Sequence, residues 1–140
     1  GALGAPSFEV LGQRLAPNIC YEDLFGEELA RRFQDPARAP TVLVNVSNIA
    51  WFGDTIAIDQ HLHISRLRSL ELQRPMIRAT NTGPTVVIDH QGRVRHWMKP
   101  QERGVLVLLV THSCEVQEAL SGVISVEVGP EGSRVQVIEN

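Results

Sequence analysis

Cysteine is scarce in this sequence: its two thiols, Cys20 and Cys114, stand in unrelated contexts. They make no disulfide framework, and neither a C-x-x-C pair nor a Cys/His zinc spacing is present. Long apolar runs are missing too. The longest, "GVLVLLV" at 104–110, is strand-sized, well short of the roughly 18 residues that cross a bilayer. The opening "GALGAPSFEV" lacks the basic and apolar regions of a signal peptide and starts on Gly1 instead of Met. The expectation is therefore a chain that begins inside something larger. Basic blocks are absent at a net charge of -3, which leaves no support for nucleic acid as a partner. Lysine is almost missing, Lys99 being the only one. What is there, 43% hydrophobic and 21% charged over 140 residues, is the composition of one ordinary globular domain. A chain of this length buries a core without metals or disulfides.

Residues 7–19 read as a hairpin, "SFEV" and "RLAPNI" around a turn at "LGQ", with Pro17 calling for an edge position or a bulge. After Cys20 the period becomes helical through Leu24, Leu29, Ala30 and Phe33. Acids come early and Arg31 and Arg32 late, the order that suits a helix dipole, and "QDPARAP" closes the helix. The β-branched run "TVLVNV" at 41–46 reads as a strand covered on both faces. "SNIAWFGD" is a loop with Asp54 as the expected N-cap. Residues 55–74, with Ile58, Leu62, Leu67, Leu70 and Leu72, fit a helix that Pro75 stops. "MIRAT", "TVVID" and "RVRHW" follow as strands joined by turns at "NTG" and "HQG". Strands alternating with helices and then a hairpin predict a layered α/β sandwich with a mixed sheet.

The stretch "NICYED" puts a cysteine where a strand gives way to a helix. A sharp turn there exposes the thiol, and free N–H groups at the helix start favour a thiolate and can hold an oxyanion. The alternative is a small buried hydrophobe, since free cysteine is among the most buried residue types.

With "NICYED", the segments "NVSNIAWFGD", "QHLHISRLRSLELQRPMIRATNTG" and "TVVIDHQGRV" resemble the apolipoprotein N-acyltransferase family, a membrane-bound branch of the nitrilase (carbon–nitrogen hydrolase) superfamily. The likeness runs from about residue 7 to 97 and concerns the C-terminal half of the nitrilase-like domain. The I-C-Y-E elbow marks the superfamily; the N-x-A-W-F-G loop and the basic helix ending in "ELQRP" mark the branch. The resemblance implies a partial α-β-β-α sandwich with helices on one face, no cofactor and no metal. It implies a Glu-Lys-Cys triad in which Cys20 is the nucleophile, beside Tyr21 and Glu22. It implies as partners a phospholipid acyl donor, an apolipoprotein acceptor and the N-terminal half of the same protein. It further implies an inner-membrane enzyme whose catalytic domain faces the periplasm. In the family the catalytic Glu and Lys precede the nucleophile, whereas here only Glu9 precedes it among acids and Lys99 follows it. The expectation is a nucleophile half that is inactive alone.

Other residues carry open readings. Trp51 and Phe52 either line an acyl or glycerol pocket or simply cover the sheet edge, and Ile49 stands where the family commonly has an acid. Asn81 and Gly83 build a tight turn expected near the nucleophile. Glu71 and Arg78 are candidates to brace the site from behind, although Arg66, Arg68, Glu71 and Arg74 also read as a solvated face laced by i,i+3 and i,i+4 pairs. His61 and His63, two apart on a helix, point to different faces and do not ligate one metal together. Residues 1–103 are read as the nitrilase-like portion and 104–140 as a diverged tail of unknown role, either a strand-rich end or a shifted reading frame, in which Cys114 is structural or incidental. The rival functions are a soluble amidase or nitrilase using the same cysteine, and a non-catalytic piece completing a partner's fold.

Overall fold

The computed structural model describes residues 7–99 together with the strands at 104–109, 123–129 and 132–138. The predicted hairpin is present as β1 (Phe8–Val10) and β2 (Gln13–Ile19), paired antiparallel with Phe8 opposite Leu15. Because β1 pairs no further than Leu15, β2 has a free side at Pro17, where a missing N–H costs no ladder bond. The predicted single helix after Cys20 is instead three short pieces. A 3-10 turn at Cys20–Leu24 is followed by α1 (Gly26–Ala30) and a further 3-10 turn at Arg31–Phe33. Phe25 breaks the run at φ -94°, ψ 74°, and Gly26 restarts it. The leucine spacing is helical, but the backbone is not continuous.

β3 (Val42–Ser47) is central, as its apolar composition requires, lying parallel between β2 and β4 (Met76–Thr80). α2 (Ile56–Leu72) connects β3 to β4 and ends on Gln73 in the left-handed region. Its N-cap is Thr55, not Asp54; the Thr55 hydroxyl donates to the Phe52 carbonyl at 3.0 Å and makes no cap bond. β5 (Thr85–Ile88) and β6 (Val94–Met98) complete a six-stranded mixed sheet in the order β1-β2-β3-β4-β5-β6. The strand-rich reading of the tail holds for β7 (Gly104–Leu109), β8 (Val123–Gly129) and β9 (Gly132–Ile138), a separate antiparallel sheet. Cys114 lies outside the described residues.

The six-stranded sheet has two buried faces. One packs Leu15, Val42, Val44, Ile77 and Ala79 with no helical residue among them. The other packs Ala16, Leu43, Met76, Val86 and Ile88 against Leu62 and Leu72 of α2 and against Phe33, so the described helices cover this face. α2 presents His61, Leu62, Ser65 and Ser69 inward, while Leu67 and Leu70 remain exposed. Small side chains at Ser65 and Ser69 let the helix approach the sheet closely.

Candidate active site

Side chains alternate along β2, so Ala16 and Asn18 share the face that lies under α2. The strand stops at Ile19, and Cys20 opens the 3-10 turn with φ +52°. A non-glycine residue in the left-handed region is uncommon and costs on the order of 1–3 kcal/mol, sustained only where the surroundings impose it. The thiol is half-buried. Glu22 reaches back over the kink and accepts the Ile19 N–H at 2.7 Å, thereby capping the turn. Arg32 donates to the Pro17 carbonyl at 2.8 Å; burial lowers its pKa, against the opposing pull of Glu22. The broken helix leaves little macrodipole behind Cys20. The feature beneath it is polar side chains.

Asn18, Asn45 and Arg78 occupy one register row across β2, β3 and β4. Asn45 divides its amide N–H groups between Asn18 Oδ1 and the Cys20 carbonyl, the latter at 3.1 Å. Its Oδ1 accepts from Ser47 Oγ at 2.6 Å and from Arg78 Nη1 at 3.3 Å. Arg78 also donates to Ser65 Oγ at 2.7 Å and stands 3.7 Å from Asp23 Oδ2. Ser65 Oγ donates to that same Asp23 oxygen. Asp23 Oδ1 and the Cys20 carbonyl both lie on His61 Nε2, at 3.0 and 3.2 Å. Both are acceptors only, so Nε2 carries a proton. Asp23, Ser65 and Arg78 are fully buried and His61 nearly so. Burial pushes the Arg78 guanidinium down to about 10 against the pull of Asp23 and Cys20, which leaves it charged at neutral pH.

An aromatic layer covers the cluster. Tyr21 stacks on His61 with centroids 5.4 Å apart and meets Phe52 edge-on at 5.8 Å. Trp51 continues the layer beside Phe52 and is 75% exposed. The predicted turn holds this loop in place. Asn81 Oδ1 accepts the Ile49 N–H at 3.0 Å, and its amide donates to Asn48 Oδ1 at 2.7 Å. Gly83 leaves room for Ile49, whose Cδ1 would lie 2.1 Å from any Cβ added there. Ile49, fully buried, is therefore a core residue of the loop's base. Asn81 and Gly83 reach the elbow through the loop and Tyr21.

Of the two residues proposed to brace the site, Arg78 lies in the cluster. Glu71 instead pairs with Arg68 at 3.1 Å, with 57% of its side chain exposed. The expected i,i+3 pair is present, but only its Glu71 end is solvated, Arg68 being 17% exposed. Arg66 and Arg74 reach backbone instead, the Gly92 carbonyl at 2.8 Å and the Pro40 carbonyl at 2.9 Å. His61 is buried and His63 exposed, on different faces as expected. Glu9 is opposite Arg14, six residues back along β2 from Cys20, or about 20 Å at ~3.3 Å per residue. Lys99 follows β6, four strands across from β2, or about 19 Å at ~4.8 Å per strand. Glu9 and Lys99 are therefore both remote from the thiol.

From sequence, Asp23, Ser65, Asn18 and Asn45 carry no site role, and His61 is weighed only as a metal partner of His63. Two signals pointed to them: amides at alternate positions of otherwise apolar strands, and His61, Ser65 and Ser69 at four-residue spacing along one helix face.

The model of the family described as carbon-nitrogen hydrolase matches residues 1–117. The chain belongs to the carbon-nitrogen hydrolase family. Over 104 residues the chain is 69% identical to apolipoprotein N-acyltransferase of Verminephrobacter eiseniae, covering 74% of this chain and 19% of that protein. Over 90 residues it is 62% identical to apolipoprotein N-acyltransferase of Ralstonia nicotianae, covering 64% and 17%. It thus spans about a fifth of the length of these relatives. The fold is shared with a carbon-nitrogen hydrolase of Helicobacter pylori, at TM-score 0.60 and 13% identity over 71% of this chain and 41% of that one. An amidase of Nesterenkonia, described with acetamide added covalently at its active-site cysteine, aligns at TM-score 0.54 and 19% identity over 68% and 38%. The predicted fold class is confirmed: a partial α/β carbon-nitrogen hydrolase domain with a mixed sheet.

Proposed function

We propose that this domain carries the nucleophile of an apolipoprotein N-acyltransferase. The observation that carries the reading is Cys20, kinked at the C-terminal end of β2 within residues 1–117 that the family model matches. In the proposed reaction the Cys20 thiolate attacks the ester carbonyl of a phospholipid acyl chain. A sulfur–carbon bond forms, the ester carbon–oxygen bond breaks, and the lysophospholipid leaves as an alcohol after taking a proton. The α-amine of a lipid-modified N-terminal cysteine then attacks the thioester, forms an amide and returns the thiol, its own proton going to a base. Main-chain N–H groups at the elbow serve part of the oxyanion. The base and an oxyanion-binding lysine come from elsewhere in the protein, since Glu9 and Lys99 are remote. Tyr21, Trp51 and Phe52 line the acyl side, and Glu22, Asn81 and Gly83 shape its frame.

Exposed Ile19, Phe25 and Trp51 around the elbow suit a lipid donor. No helix among the described residues is long and apolar enough to cross a membrane. Anchorage in an inner membrane, with this domain on the periplasmic side, belongs to the same proposal and rests on the relatives' name.

The test is incubation of the full natural chain with phospholipid and a lipid-modified peptide, followed by mass spectrometry. An acyl group on Cys20, lost in Cys20→Ala, is the expected result. Hydrolysis of small amides without an acyl-thioester would establish the amidase reading instead. Residues 1–140 alone are expected to give no turnover, because members of a catalytic unit act together and removing some costs orders of magnitude. Turnover by that piece that vanishes in Cys20→Ala would overturn the division of the site.

A further inference from the structure

The carbonyl of Cys20 is the meeting point of two buried side chains, Asn45 from β3 and His61 from α2. Such convergence on one main-chain oxygen is what a left-handed non-glycine residue needs to stay in place. Asn45 is itself fixed by Asn18, Ser47 and Arg78, and His61 by Asp23 beneath and Tyr21 above. Asp23 in turn is held by Ser65 and faces Arg78. The side-chain bonds behind the carbonyl are buried and the two bonds to it part-buried, so exchanging the buried ones for water carries a desolvation cost.

We propose that Asp23 and His61, with Arg78 as their counter-charge, are positioning residues that clamp the Cys20 main chain and so aim its thiol. Asp23 accepts the Nε2 proton of His61 and thereby orients the ring. The ring then shares that proton with the Cys20 carbonyl. This role rests on Cys20 being the nucleophile of the proposed function, but it concerns the aim of the thiol and not the identity of its acyl donor. His61 neither receives a proton from the thiol nor touches substrate in this scheme: its donor faces the carbonyl of Cys20, on the main-chain side.

The test uses the full natural chain and two readouts, alkylation of Cys20 by iodoacetamide and acyl-thioester formation from phospholipid. His61→Phe keeps a flat ring under Tyr21 but loses the donor, and His61→Gln restores a donor. Loss of aim by about an ångström is worth on the order of 100-fold in rate. His61→Phe is therefore expected to slow acylation by about that factor with little change in KM, and to slow alkylation about tenfold. His61→Gln should recover most of both. If His61→Phe does not fold, Asp23→Asn decides the matter: it preserves the side-chain shape, it lowers stability by leaving Arg78 without its counter-charge, and the folded protein should show slowed alkylation. Wild-type alkylation and turnover in a folded His61→Phe or Asp23→Asn protein would overturn the clamp. So would a His61→Gln protein as slow as His61→Phe. A wild-type protein that forms no acyl-thioester, yet whose alkylation still depends on His61, would retain the clamp and remove the acyltransferase reading.

Discussion

Two adjacent rows of side chains under α2 differ completely in character. Ala16, Leu43, Met76 and Ile88 form one row across β2, β3, β4 and β5, all buried and all apolar. Two residues further along the parallel strands, the row reads Asn18, Asn45, Arg78, with apolar Val86 only at its end. The same sheet and the same helix cover both. The apolar row needs only to exclude water, and its burial stabilises at roughly 25 cal/mol per Å². The polar row buries a carboxylate and a guanidinium, whose desolvation cost can exceed their attraction. A fold gains little stability from such a row. It gains a fixed backbone at the C-terminal ends of β2, β3 and β4, where open α/β sheets present their sites.

The contrast breaks most sharply where a charge enters an apolar region. Val44 belongs to the opposite face, in an apolar cluster with Leu15, Ile77 and Ala79 and opposite Pro17 and Ile77 in register. Val44→Asp buries a carboxylate among apolar neighbours of the described residues and should cost several kcal/mol, on the order of 4 or more, seen as loss of the cooperative thermal transition. A protein that melts as before would take this strand out of the core.

The polar row fails differently. Arg78→Met leaves Asp23 buried without its counter-charge, a change worth about 3–5 kcal/mol. Adding Asp23→Asn removes the orphaned charge and should return much of the stability, measured as Tm. Cys20 alkylation should stay slow in the double variant, since the clamp is still missing. If stability and thiol reactivity recover together, the row serves packing alone.

Much of the frame was legible because local signals sufficed. The hairpin, the β-branched centre strand and the β4–β5–β6 meander each follow from short β-prone runs punctuated by Gly, Pro and Asn. The piece after Cys20 was misread because Leu24, Leu29, Ala30 and Phe33 keep helical spacing while the backbone breaks at Phe25–Gly26. The elbow was visible in "NICYED", as was Arg78 as a brace. Its partners were not, since Asp23 meets His61 and Ser65 across 38 and 42 residues, and each alone reads as an ordinary surface residue. Glu71 looked equally eligible from sequence; only the turn of the helix separates it from the cluster.

A milder test addresses the loop that carries the aromatic layer. Gly83→Ala drives a methyl into Ile49, which is fully buried and cannot swing into solvent. Overpacking of this kind costs about 1–3 kcal/mol, and the loop carrying Phe52 should shift with it. Reduced Tm with altered fluorescence of Trp51 is the expected pair of signals. A loss of Tm with unchanged fluorescence would separate the turn from the aromatic layer.

The smallest effect concerns Glu22, which sequence reading placed beside the nucleophile and the structure places on the Ile19 N–H. If that bond is its main service, Glu22→Ala costs about 1 kcal/mol, the usual worth of an N-terminal cap. Glu22→Gln keeps an acceptor for the same N–H and gives up only the charge facing Arg32, so it should lose about half as much. Tm measurements on both variants at low and high salt separate the two contributions, because the ionic part is screened and the hydrogen bond is not. Equal losses in Ala and Gln would make the charge the essential feature, and the acid would then belong to the polar row's electrostatics. A larger fall in acylation than in stability, present in Gln as well as Ala, would instead move Glu22 from the frame of the elbow into its chemistry.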